Sequence, residues 1–145
     1  MEPGTIFAGR FAVEAMAGKG AMGAVYRVRD LYAAGQVVAL KVLHDLVPQR
    51  LRRFQREIRV LATLTHPNIV GYVSHGAQGH APWLAMEWSD GMTLAERLRQ
   101  RPFTTAASIE LGLGIAEALV FAHGCGVIHR DLKPGNIFLE RGETH

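Results

Sequence analysis

The sequence predicts an α+β chain: a five-stranded antiparallel sheet carrying one helix, followed by an incomplete, mainly helical portion. Two features of the 145 residues carry this. As far as Trp88, short apolar runs alternate with glycine- and proline-containing turns, interrupted once by a segment with apolar residues at helical spacing. After Ser89-Asp90-Gly91 the apolar period lengthens from two residues to nearly four.

The elements follow in order. Phe11–Met16 reads as a first strand, ahead of the cluster Gly18-Lys19-Gly20-Ala21-Met22-Gly23. Ala24–Asp30 is its hairpin partner, with Val25, Arg27 and Arg29 on one face and Tyr26 and Val28 on the other. A turn at Ala33-Ala34-Gly35 leads to Gln36–His44, an apolar strand containing one lysine, Lys41. A helix is expected over Gln49–Leu64, because Leu51, Phe54, Ile58 and Leu61 share one stripe while Arg52, Arg53, Arg56 and Arg59 fill the remainder. His66-Pro67 stops it, since the residue before a proline is pushed out of the helical region. Strands at Ile69–Ser74 and Trp83–Trp88 complete the sheet. Thr93 with Glu96 forms a capping-box signature for a short helix to about Gln100. A longer helix is expected over Thr105–His123, then a short strand at Val127-Ile128, a polar loop from His129 to Asn136, and a strand at Ile137–Leu139. The organisation expected is an extension at 1–9, a sheet portion at 10–86 and a helical portion at 87–145.

Composition excludes little. A fifth of the residues are charged and the net charge is +3. That excess needs no nucleic-acid partner, because arginines on one helix face account for it. The single cysteine, Cys125, cannot form an internal disulfide, which suits a reducing, cytoplasmic setting. The apolar stretch Leu111–Ile128 contains Glu117, His123 and four glycines, so a buried helix and turn are expected there and no membrane segment.

Four groups of residues carry chemistry. Gly18, Gly20 and Gly23 lie between two strands, so their amides are positioned either as a plain turn or as a cover over phosphates. The strand-like Tyr26-Arg27-Val28-Arg29 that follows excludes a dinucleotide-binding turn, which requires a helix there. Lys41 shares a strand face with Ala39, so a flat base packed at Ala39 would leave the ammonium beside its phosphates; the alternative is an edge-strand lysine reaching water. Glu57 is the one acid between Arg50 and Arg59, a partner either for Lys41 or for Arg53 one turn earlier. Finally, His129-Arg130-Asp131-Leu132-Lys133-Pro134-Gly135-Asn136 puts a base, a cation and an oxygen ligand for Mg²⁺ into one loop.

In this order and on these elements, the four groups resemble the protein kinase family over nearly the whole chain. The resemblance implies a kinase-like fold in which Gly18, Lys19, Gly20, Ala21, Met22 and Gly23 cover the phosphates of ATP. It implies that Val25, Ala39, Met86, Glu87, Trp88 and Ser89 surround the base, with Met86 as gatekeeper. Lys41, paired with Glu57, would contact phosphate. Asp131 would be the catalytic base, Lys133 would offset phosphoryl charge, and Asn136 would bind Mg²⁺. The string Asp-Leu-Lys-Pro-Gly-Asn is similar to that of bacterial serine/threonine kinases, so the expected partners are ATP and a protein substrate. No Asp-Phe-Gly occurs in the sequence. The expectation is therefore a kinase domain cut short, with little turnover of its own and with Ile109, Leu113, Ile115 and Leu119 left for association. The alternative is an inactive, pseudokinase-like nucleotide or partner binder.

Overall fold

The computed structural model describes residues 1–21 and 23–140. Two compact units emerge: Met1–Thr65 with Val70–Trp88, and His66–Ile69 with the chain from Ser89 onward.

The first unit is built on an antiparallel sheet. Its strands are β1 (Ile6–Phe7), β2 (Phe11–Lys19), β3 (Gly23–Asp30), β4 (Gln36–Leu43), β5 (Tyr72–Gln78) and β6 (Ala81–Glu87). They lie in the order β1-β2-β3-β4-β6-β5, so there are six strands rather than the five expected. The additional one is the two-residue β1, which pairs Ile6 with Ala12 and Phe7 with Phe11 inside the stretch read as an extension. Two residues are too few to show a period, and only the pairing reveals them. Alternation is plain in β3, where Ala24, Tyr26, Val28 and Asp30 are buried and Val25, Arg27 and Arg29 are more open. The buried face joins Phe11, Val13, Val38, Leu40, Val42, Trp83 and Ala85 in one apolar cluster.

Asp30 would be costly there without a partner. It accepts from Arg10 Nη2 at 2.6 Å and Nε at 2.8 Å, and caps the 3-10 turn at Leu31–Ala33 by accepting from Tyr32 N at 3.0 Å. The Arg10 guanidinium, outweighing burial, holds the Asp30 carboxyl below its usual range.

Helix α1 (Pro48–Thr63) opens with proline at its first turn, where the missing N–H has no intrahelical partner to lose. Phe54 and Ile58 are buried against Leu43 and Leu84, with Leu51, Leu61, Tyr72 and Met86 around them. The sheet thus packs apolar residues on both faces of β4.

The second unit contains β7 (Met92–Thr93), α2 (Leu94–Gln100), α3 (Thr105–Gly124) and β8 (Phe138–Leu139). The capping box forms as expected: Glu96 N donates to Thr93 Oγ1 at 3.2 Å and Thr93 N to Glu96 Oε2 at 2.8 Å. Thr104 caps α3 through Ala107 N at 3.2 Å. Helix α3 is long and apolar enough to cross a membrane by length and composition alone. Only Ala122 of it is buried, so the reading of a buried helix does not hold. Ile109 and Leu113 are exposed, in keeping with the expectation that they are left uncovered, and Val120 is exposed as well. Ile115 and Leu119 are half-buried. Within the described part of this unit, few elements are available to cover a 20-residue helix. Val127-Ile128 is not a strand; Val127 N is instead engaged by Ala122 O at 2.9 Å in the α3 terminus.

Candidate functional site

The candidate residues divide between the two units. In the first, β2 and β3 form the glycine hairpin, with Gly18 opposite Val25 and Lys19 opposite Ala24, closed by Gly20 N donating to Gly23 O at 2.9 Å. Its glycines are not equivalent. A Cβ on Gly18 or Gly20 meets nothing within 4 Å, whereas one on Gly23 would lie 2.1 Å from Val42 O. Gly23 is therefore needed by the sheet itself, because β4 runs too close for any side chain. Lys19 and Ala21 are exposed, and Met22 lies outside the described residues.

Lys41 is on β4 between β3 and β6, not on an edge, so the reading of an edge lysine reaching water does not hold. Val25 and Leu84 are its register partners on either side. Alternation puts it on the same face as Ala39 and Leu43, the face that α1 covers through Leu43. Glu57 lies near the middle of α1, one position before buried Ile58. Lys41 Nζ donates to Glu57 Oε1 at 2.7 Å, and Nζ also lies 5.7 Å from the Phe54 ring centroid. Glu57 therefore serves Lys41, not Arg53. Both side chains keep contact with solvent, 27% and 39% exposed, so their pairing contributes at most about 1 kcal/mol and its value is positional.

Ala39 is opposite Met86 on β6, and Met86 packs against the apolar cluster beneath α1. Glu87 N donates to Gly71 O at 2.8 Å and Gly71 N to Glu87 Oε2 at 3.1 Å, a mutual clasp that the sequence did not signal. The Arg27 guanidinium stands 5.6 Å from the Trp88 ring centroid. Trp88 closes the first unit and Ser89 opens the second, where its Oγ accepts from Gly91 N at 3.3 Å.

In the second unit the polar loop is fixed at both ends. On one side is the α3 terminus, with Gly126 at φ +75°; on the other, β8 pairs Leu139 with Met92 and Phe138 with Thr93. Gly91 permits that pairing, since a Cβ there would meet Leu139 O at 1.6 Å. Within the loop Arg130 takes a left-handed φ of +65°, uncommon for a residue with a side chain. Asp131 N donates to His129 Nδ1 at 3.3 Å, giving His129 an anchoring part that its position two residues ahead of the aspartate could have signalled. A 3-10 turn at Pro134–Asn136 returns Asn136, whose Nδ2 donates to Asp131 O at 2.8 Å and to Oδ2 at 3.2 Å. Lys133 Nζ is 3.2 Å from Asp131 Oδ2. The Lys133 ammonium first, with help from Asn136 and His129, pulls the Asp131 carboxyl below its ordinary range. It is a carboxylate at neutral pH, open to solvent and able to accept a proton or a hydrogen bond from a hydroxyl. Base, cation and amide thus meet within one loop.

The sequence profile of the protein kinase domain matches residues 11–145. The chain belongs to the protein kinase family. Members of this family use ATP and Mg²⁺. Among curated relatives, this kinase-family chain is 39% identical to the DNA damage-responsive serine/threonine-protein kinase RqkA of Deinococcus radiodurans, with 97% of the chain and 22% of the relative aligned. It is 41% identical to the serine/threonine-protein kinase PknJ of Mycobacterium tuberculosis, with 97% and 24% aligned. A solved PknI kinase domain of M. tuberculosis matches at 34% identity and a TM-score of 0.81, covering 97% of this chain and 57% of that one. The chain thus spans under a quarter of the length of these curated relatives.

Proposed function

We propose that this kinase-family chain provides the nucleotide-handling and catalytic-loop residues of a serine/threonine protein kinase. The observation that carries the reading is the Lys41–Glu57 pair at 2.7 Å on a central strand, where an ammonium is held in place yet still accessible. In this reading Lys41 meets the phosphates of ATP, and the amides of the Gly18–Gly23 hairpin cover them. The open space before Gly18 and Gly20 supports close approach of a phosphate. Val25, Ala39 and Met86, with Glu87 and Trp88, take the base in the first unit.

Asp131, as a carboxylate, orients the acceptor hydroxyl and takes its proton, while Lys133 offsets charge on the phosphoryl group. The donor chemistry fits Mg²⁺ in part. Asn136 spends its Nδ2 on Asp131, leaving Oδ1 as a neutral oxygen ligand near the carboxylate. Bound there, the metal would neutralise phosphate charge. The names of RqkA and PknJ support a serine or threonine acceptor in a protein substrate. Exposed, unpaired Cys125 supports a cytoplasmic setting, which cell fractionation would test.

Titration of a fluorescent ATP analogue in Mg²⁺ tests the reading. Wild-type chain should bind, and Lys41→Met, with an unchanged far-UV spectrum, should bind at least tenfold more weakly. Because the 145 residues include no Asp-Phe-Gly, the purified chain should show little phosphotransfer. Equal binding by Lys41→Met, or phosphotransfer that survives Asp131→Asn, would overturn the assignments.

A further inference from the structure

Helix α1 works against its own charges. Arg52, Arg56 and Arg59, at i, i+4 and i+7, run in a line along the face opposite buried Phe54 and Ile58, with Arg53 at its flank. All four are exposed. Among the described residues none of them meets a carboxylate; Arg59 Nε reaches only Gln55 O, at 3.4 Å. Like charges one turn apart destabilise a helix; its first turn carries no acid and Val47 provides no side-chain cap, while Asp45, ahead of the helix, is paired with Arg50.

We propose that this outer face of α1 docks an extended acidic segment of a partner protein. The rise of the helix separates Arg52 from Arg56 by about 6 Å and Arg56 from Arg59 by about 4.5 Å. Carboxylates on alternate residues of an extended strand recur every 6.7 Å or so, so two or three of them lie within reach of the three flexible arginines. Arginine rather than lysine at every basic position of the helix favours forked pairing with carboxylates. A membrane surface fits less well, because the apolar stripe that would enter it is already spent on the core. A nucleic acid fits less well too, because the aromatic residue among the arginines, Phe54, is buried and offers no face on which to stack a base. The consequence rests on the kinase reading. Since α1 carries Glu57, an acidic segment seated outside steadies the helix that holds Lys41.

The test is fluorescence anisotropy of a labelled peptide of alternating glutamate and serine, titrated with the purified chain without nucleotide. Wild type should bind in a salt-dependent manner and gain thermal stability from the peptide. Arg52→Gln/Arg56→Gln/Arg59→Gln should bind at least tenfold more weakly, while melting no lower than wild type on its own. Arg99→Gln/Arg101→Gln, at the end of α2 in the second unit, should change affinity less than twofold. Should the triple variant fail to fold by circular dichroism, Arg56→Gln alone decides, with an expected weakening of at least threefold. No binding by wild type, equal loss in the Arg99/Arg101 variant, or tighter binding of duplex DNA or phosphatidylserine vesicles through the same arginines would overturn the proposal. Because nucleotide is absent, failure here leaves the ATP-binding result untouched, and the converse holds.

Discussion

Replacing each hairpin glycine by alanine separates the glycine the fold needs from those a ligand needs. At Gly23 the new Cβ would lie 2.1 Å from Val42 O and 3.1 Å from Leu43 Cα, both backbone atoms. Relief requires strands β3 and β4 to part by roughly 1 Å at their Gly23–Leu43 pairing, a strain of the overpacking kind costing about 1–3 kcal/mol. For a chain of this size that is a fall in Tm of about 3–9 °C, at about 3 °C per kcal/mol. Gly18→Ala and Gly20→Ala meet open space, so stability should stay within about 0.5 kcal/mol of wild type, as for other surface changes. Urea melts followed by tryptophan fluorescence measure these differences, and the ATP-analogue titration run in parallel should show all three variants weakened. The reasoning is refuted if Gly23→Ala melts with wild type, or if Gly18→Ala and Gly20→Ala lose as much stability as it does.

Asp30→Ala leaves Arg10 without its buried partner and should cost about 3–5 kcal/mol in a denaturant melt. In wild type the folded carboxyl titrates below the unfolded one, so its stabilisation is complete above the unfolded value. It should be lost as pH falls through the folded value, an acid limb that Asp30→Asn flattens. Thr93→Ala removes one side of the capping box and should cost about 1 kcal/mol, read from the same melts. Carbon-13 NMR of Asp131 should give a titration midpoint below that of an ordinary aspartate, and Lys133→Met should move it upward.

Much of the first unit was legible because alternation makes itself visible over several residues. Strands β2, β3 and β4 lie within a few residues of their expected limits, and the helix stripe through Phe54 and Ile58 is the buried one. Short elements were not legible. Ile6–Phe7 carries no period, and Val127-Ile128 has β-branched residues but no strand beside it. The catalytic-loop string could be read because its base, cation and amide are consecutive, and the fold needs only to turn them toward one another. Lys41 was ambiguous because alternation cannot tell a central strand from an edge; β6 lying alongside resolves it. The structural duty of Gly23 depends on Val42 O, nineteen residues away in sequence, and no local pattern encodes such a distance. The exposure of Ile109 and Leu113 on α3 was expected, but that of Val120 was not, because apolar composition reports what a helix would bury, not whether a neighbour is there to bury it.

Strand β4 feeds two separate apolar clusters: Val38, Leu40 and Val42 belong to one, and Leu43 to the other beneath α1. Lys41 stands between Leu40 and Val42 of the first and shares a strand face with Leu43 of the second. Mutational drift on either side of the sheet therefore converges on the same ammonium, and a volume lost at Trp83 or at Phe54 should register there. Such a strand has little room to vary, because a change of volume in either cluster shifts residues on both faces of β4 beside Lys41.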